Sequence, residues 1–247
     1  MNRLLLLLLT LFFAAPASAG NTPGVVYVAV ASNFSAVMQQ IARRYQAHSG
    51  QQVKISSSAT GKHYAQIRQG APFDVFFAAD SKRPQLLEQQ GLATGRYSYA
   101  LGKLLLWSPD PELITGDSRV LSNGAFHYLA IANPKLAPYG RAARQVLQRL
   151  GLWERLRSRM VRGENIGQAF QFVNSGNAEL GFVAAAQLVK SGQKISGSHW
   201  EIPDGWYDEI RQQAVMLNDK PSTRAFFEFV QSAAIRRLIG QSGYRTL

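Results

Sequence analysis

Apolar and polar positions alternate along the chain between two kinds of stretch. Short β-branched and aromatic runs, such as Val26-Tyr27-Val28-Ala29-Val30-Ala31, read as strands covered on both faces. Between them lie segments whose apolar residues recur at i, i+3 and i+4. Phe34, Val37, Met38, Ile41 and Tyr45 form one such series, the mark of a helix with a single buried face. The same pattern predicts further strands at 52–57, 73–79, 128–132, 160–161, 180–184 and 210–217, with an extended run over 97–106. Helices are expected after Ser32, which falls where an N-cap belongs, after Thr60, after a cap at Asp80 or Ser81, near Tyr139, over 166–175 and over 185–190, the last closed by Ser191-Gly192. The segment 199–207 reads as an aromatic loop. Pro221 opens a last long helix that carries Phe226, Phe227, Val230, Leu238 and Ile239 as far as Gly240.

Strands alternating with helices through short connections predict an α/β fold of mainly parallel sheets flanked by helices. The apolar run from Lys103 to Trp107, entering Ser108-Pro109, reads as a crossing into a second lobe, and the extended stretch at 210–217 as the return. The expected division is lobe I over 24–105 plus 214–247 and lobe II over 106–213. Two crossings make a hinge.

Four polar turns follow strands and open helices: Ser32-Asn33, Ser58-Ala59-Thr60-Gly61, Asn133-Pro134 through Pro138-Tyr139-Gly140, and Glu164-Asn165-Ile166-Gly167. Ligands of such sheets bind at the carboxyl ends of the strands, where helix openings present unpaired N–H groups and the positive end of the helix dipole. Four openings aimed at one point would supply about +2 of effective charge, enough for a tetrahedral dianion without lysine or arginine. The hydroxyls of Ser32 and Thr60 and the amide of Asn33 add side-chain donors. A cage made only of donors disfavours hydrogen phosphate, whose proton needs an acceptor, and suits sulfate, molybdate or tungstate. Taken singly, each turn also reads as ordinary helix capping, and the residues alone leave both readings open. Lys62 is expected to point outward, and Glu164 is the one carboxylate near the turns.

Composition narrows the classes. Met1-Asn2-Arg3, an apolar core over 4–15 and Ala17-Ser18-Ala19 have the form of an export leader over 1–19, with an apolar run shorter than the ~20 residues of a membrane span. The 247 residues include no cysteine, which excludes disulfides and cysteine-based zinc or redox chemistry. The net charge of +12 is spread along the chain, and its densest cluster, Arg155, Arg157, Arg159 and Arg162, reads as a solvated face without a nucleic-acid module. His48, His63, His127 and His199 lack metal-ligand spacing. An exported hydrolase using Asp74, Asp80 or Ser32 is the enzyme alternative, but Ser32 and Thr60 lack a nucleophile elbow and an identifiable base.

Taken in order, Val30-Ala31-Ser32-Asn33-Phe34, Ser58-Ala59-Thr60-Gly61-Lys62, the run from Gly70-Ala71-Pro72-Phe73 to Asp80, Gly102-Lys103-Leu104, Asn133-Pro134 with Pro138-Tyr139-Gly140, and Asn165-Ile166-Gly167-Gln168 resemble the periplasmic molybdate-binding proteins of ABC importers. The similarity covers essentially the whole chain after the leader. It implies a two-lobed type II periplasmic binding protein, monomeric and non-enzymatic, that holds molybdate or tungstate and hands it to an inner-membrane permease. No cofactor, nucleic acid or metal bound directly by the protein is implied, since the metal arrives as an oxyanion. By matching motifs, the ligand contacts would be Ser32 and Asn33, then Thr60 where many relatives have serine, with backbone N–H donors from Tyr139 and Ile166. Many relatives carry a tyrosine just after the strand that ends near Val183. This chain has Ala184, one hydroxyl fewer, which Asn33 would offset. The rival within the class is a sulfate or thiosulfate binder.

Overall fold

The structure is a computed structural model that describes residues 24–189 and 195–247. The expected leader and the helix stop at Ser191-Gly192 lie outside the described residues. The first lobe opens with β1 (Val26–Ala31), a 3-10 turn at Ser32–Phe34 and α1 (Ser35–Ser49), followed by β2 (Val53–Ser58), α2 (Thr60–Arg68), β3 (Val75–Ala78), α3 (Lys82–Gln89) and β4 (Thr94–Gly102). The chain then builds β5 (Leu104–Ser108), α4 (Val120–Asn123), β6 (Leu129–Ala132), α5 (Pro138–Arg149), α6 (Trp153–Leu156), β7 (Met160–Gly163), α7 (Ile166–Asn174), β8 (Leu180–Ala184), α8 (Ala185–Leu188) and β9 (Ser198–Glu201). It returns through β10 (Ile210–Met216) and ends with α9 (Pro221–Val230) and α10 (Ala233–Gln241).

Two five-stranded sheets result, ordered β2-β1-β3-β10-β4 and β7-β6-β8-β5-β9. In the first, β2, β1 and β3 are parallel, while β10 runs antiparallel to both β3 and β4. In the second, β7, β6 and β8 are parallel, and β5 runs antiparallel to both β8 and β9. Each sheet is therefore mainly parallel, with one reversed strand in the fourth place. In both cases that strand is the first one built after the chain crosses from the other lobe.

The crossings are sharper than the apolar pattern suggests. Gly102 pairs with Ile210 in the first sheet, while Leu104 pairs with Ala184 in the second, so the outward crossing is Lys103 alone. Leu104 and Leu105 belong to the second sheet, and 210–213 to the first, which corrects the expected boundaries at 105 and 214. Uniform apolarity hides the change, because Ala100, Leu101, Leu104, Leu105 and Leu106 are all buried. Two further expectations are corrected. His199 and Trp200 pair with Trp107 and Leu106 in an edge strand too short to show a period. The last helix is two, broken at Ser232 (φ −64°, ψ 152°), and the break lets Phe226, Phe227 and Val230 share one core with Ile235, Leu238 and Ile239.

Burial of one titratable side chain makes stability pH-dependent. His63 on α2 is fully buried, packed edge-on against Phe73 and Phe76, with Nδ1 3.1 Å from Gln66 Oε1 and no partner on Nε2. Desolvation holds its pKa below the ordinary value, against the opposing pull of Gln66. The contribution to stability is present above the unfolded pKa of about 6.5 and is lost as pH falls below it, because the unfolded chain then takes up the proton first. Between pH 7.5 and 5 the urea midpoint of the parent protein should fall more than that of His63→Leu. Parallel midpoints would remove His63 from the account.

Candidate functional site

The four polar turns meet. Residues from each of them, Ser32 and Asn33, Thr60, Tyr139 and Ile166, line one small cavity between the lobes. Three of the openings are set by extended residues just before the helix, Ala59, Ala137 and Asn165, and Ala31 plays that part before the 3-10 turn. Only Asn165 caps with its side chain, through Oδ1 to Gln168 N–H. Elsewhere no side chain caps the opening, and the first N–H groups not already bonded to backbone are left to a ligand. The expectation that Ser32 is an N-cap is corrected on this point: Ala31 holds that position, and the Ser32 hydroxyl is used otherwise.

Both site hydroxyls have their oxygens occupied by backbone. Thr60 Oγ1 accepts the Ala79 N–H at 3.1 Å, and Ser32 Oγ accepts the Gly167 N–H at 3.1 Å. A hydroxyl that already accepts has its own proton to give, so each is set up as a donor. Gly167 belongs to the other lobe, so the second of these bonds also ties the lobes together. A backbone bond does the same, from Gly61 N–H to the Leu136 carbonyl at 2.9 Å.

Tyr139 connects the cavity to the hinge. Pro138 at the first position of α5 has no N–H, which makes the Tyr139 amide the first donor of that helix. The next residue must be glycine, because a Cβ at Gly140 would fall on the Ala132 carbonyl of β6. The Tyr139 side chain is fully buried and runs back to the crossing, where its hydroxyl accepts from Gln212 Nε2 at 3.1 Å. Gly102 is required there for the same kind of reason: a Cβ on it would coincide with that hydroxyl.

Beneath the first turn lies a closed polar network. Asn33 Nδ2 donates to Gln212 Oε1 (2.8 Å) and to the Tyr244 hydroxyl (3.0 Å), and Tyr244 donates to the Asn33 carbonyl (2.8 Å). Tyr99 places its hydroxyl 3.0 Å from Gln212 Oε1 and 3.1 Å from the Ala78 carbonyl. Phe34 wedges this network in place, its ring 4.7 Å from that of Tyr99 and 5.4 Å from that of Tyr244. Burial raises the pKa of Tyr99, Tyr139 and Tyr244, so all three phenols keep their protons. As arranged, both N–H groups of the Asn33 amide point into the protein, and Oδ1 is buried without a partner.

Among the described residues, no lysine, arginine, histidine or carboxylate lines the cavity. Lys62 and Glu164 pair with each other at 3.4 Å on the rim, each side chain at least half exposed, as expected for groups that do not face a ligand. Arg83 pairs with Asp80 and reaches across to the Lys135 carbonyl at 3.3 Å. Asp74, one of the enzyme candidates, accepts from Tyr27 N–H, Asn218 and Lys220 and ties strands together. Ala184 is buried in the core of the second lobe and is not among the cavity-lining residues. Sequence reasoning assigned no bonding role to Ala79, Leu136, Gly167 or Gln212. The first three act through backbone groups, which carry no residue signature, and Gln212 is one glutamine in a strand.

Comparison with known proteins agrees with this architecture. Residues 26–245 match the family of bacterial extracellular solute-binding proteins. The molybdate-binding protein ModA of Azotobacter vinelandii is 46% identical over 224 residues, 89% of this chain and 89% of that relative. ModA of Rhodobacter capsulatus is 38% identical over 97% of this chain and 94% of its own length. The solved periplasmic molybdate-binding protein of Azotobacter vinelandii superposes with a TM-score of 0.87 at 40% identity, covering 90% of this chain and 99% of that one. The chain therefore belongs to the bacterial extracellular solute-binding protein family, among relatives named for molybdate.

Proposed function

We propose that the protein is the substrate-binding component of an ABC importer for molybdate, taking molybdate or tungstate between its lobes as a monomer and delivering it to an inner-membrane permease. One observation carries the reading: the cavity is walled by helix openings from both lobes and by hydroxyls, two of which already accept a backbone N–H, with no cation and no carboxylate among its described lining residues. Such a wall presents several donors and no formal charge among the described residues. A dianion with no proton of its own meets every donor, whereas hydrogen phosphate would leave its proton unpaired at a cost on the order of 1 to 3 kcal/mol. The donors in this reading are the hydroxyls of Ser32 and Thr60 and the backbone N–H groups of Asn33, Tyr139 and Ile166. The names of the relatives at 46% and 38% identity select molybdate from the oxyanions this wall accepts. The leader-like residues 1–19 and the extracellular family support export to the periplasm. A carrier rather than an enzyme is the reading, since Ser32 and Thr60 donate to a bound ion and no general base lines the cavity.

Thermal or chemical unfolding of the protein with equal concentrations of molybdate, tungstate, sulfate or phosphate tests the ligand. An ion present at about 100 times its Kd adds roughly 2.7 kcal/mol of stability. Molybdate and tungstate should stabilise alike and phosphate not at all; stabilisation by sulfate alone would reassign the ligand.

Substitution separates a donor cage from a charge-based site. Thr60→Ala removes one hydrogen bond to a charged ligand and should weaken molybdate binding by about tenfold to a hundredfold. Lys62→Ala breaks only an exposed pair and should change affinity by less than about threefold. Equal losses by calorimetry would mean that Lys62 reaches the ion.

A further inference from the structure

The network under the first turn has a proton out of place. Counted as arranged, Asn33 Oδ1 is buried with no donor. Tyr139 accepts from Gln212 Nε2, but its own hydroxyl proton has no acceptor among the described residues. The single proton of Tyr99 is shared between two acceptors, the Ala78 carbonyl and Gln212 Oε1. The oxygen and nitrogen of an amide have nearly the same shape, so the hydrogen-bond pattern decides which end points where.

Turning both amides over together gives the Tyr139 proton an acceptor, leaves Tyr99 a single acceptor, and turns the unpaired Asn33 oxygen into an amide nitrogen. Gln212 Oε1 then accepts the Tyr139 hydroxyl proton, and Gln212 Nε2 donates to Asn33 and to Tyr99, which is left to donate to Ala78 alone. Tyr244 then shares its one proton between the Asn33 backbone carbonyl at 2.8 Å and the Asn33 side-chain oxygen at 3.0 Å, one divided proton in place of the one at Tyr99. The Asn33 atom that had no partner becomes an N–H group on a residue that lines the cavity. Turning only one amide fails, because two N–H groups or two oxygens would then face each other at 2.8 Å.

We propose that Gln212 is a positioning residue for the ligand site: held by Tyr139 and Tyr99, it dictates that Asn33 presents N–H rather than C=O to the bound oxyanion, and so sets the preference for unprotonated over protonated dianions. The proposal rests on the oxyanion reading above and deepens it. Gln212 lies on β10, the return strand of the hinge, and its bond to Tyr139 joins the two lobes. The amide orientation is therefore completed when the lobes are closed. An Asn33 carbonyl facing the cavity would supply the acceptor that a protonated dianion needs, and the selectivity of the cage would be lost.

The test uses the unaltered protein first. With 15N labelling and assigned side-chain amides, one Asn33 Nδ2 proton should move strongly downfield on saturation with molybdate, while its geminal partner moves little. The same titration with sulfate keeps this readout available if sulfate, and not molybdate, is the ion bound. Gln212→Glu is the second arm. A carboxyl at 212 presents an acceptor toward position 33 and turns the Asn33 amide, so the ratio of molybdate to phosphate affinity at pH 8 should fall at least tenfold. Both ions are dianions there, so any general effect of added charge cancels in the ratio, and a merely structural role would leave it unmoved. An Asn33 amide that does not respond to whichever ion binds would overturn the proposal, as would a folded Gln212→Glu protein with the parental ratio. If that variant does not fold, the amide titration decides alone. Failure of molybdate to bind, with an Asn33 response to sulfate, would overturn the ligand assignment and leave the positioning role standing.

Discussion

A doubly charged ion removed from water must be met by hydrogen-bond donors, and the fold has to set which way those donors point. That constraint organises this site. A free serine or threonine can accept as readily as it donates. Here the Ala79 and Gly167 N–H groups occupy the oxygens of Thr60 and Ser32. Ala79 follows β3 and Gly167 sits in the first turn of α7, so the sheet end and the opposite lobe fix which way the protons point.

The two sheets explain how donors come from both sides. Position for position they share one plan, three parallel strands followed by a reversed strand and an edge, with the reversed strand in each entered from the other lobe. This exchange places both crossings side by side, Gly102 against Ile210. Tyr139 exploits the arrangement by standing with its backbone at the cavity and its hydroxyl at the crossing, where only a glycine leaves room. One residue thus joins the hinge to the first donor of α5 without an intervening loop.

Much of this was legible in the chain itself. Strands and helices follow from apolar periodicity because burial on a sheet is what the pattern encodes, and the four turns were visible as polar breaks after β-branched runs. The places where reading failed share a cause. Apolar residues on both sides of Gly102-Lys103 concealed a change of sheet there, since a residue buried in either core looks the same. Ser232 breaks a helix whose apolar face continues on both sides. Ser32 looked like a cap because capping and ligand donation select the same residue types, and only the position of Gly167 separates them.

Among the described residues the bonds that tie the lobes are small, and they include a hydroxyl to an amide, one backbone bond, one glutamine to a tyrosine, an arginine to a carbonyl, and a rim pair open to water. A pair as exposed as Lys62 and Glu164 contributes little, on the order of 0 to 1 kcal/mol. In the proposed mode the ion itself supplies the rest. Donors at Tyr139 and Ile166 are brought to it only when the second lobe is closed, and two hydrogen bonds to a charged group at roughly 1.5 to 3 kcal/mol each are worth about 3 to 6 kcal/mol. Reversing a two-state equilibrium from mostly open to mostly closed takes about 5.5 kcal/mol of differential affinity, which is the same size. A cage of neutral donors split between the lobes can therefore act as its own latch, and losing the ion removes the force that holds it shut.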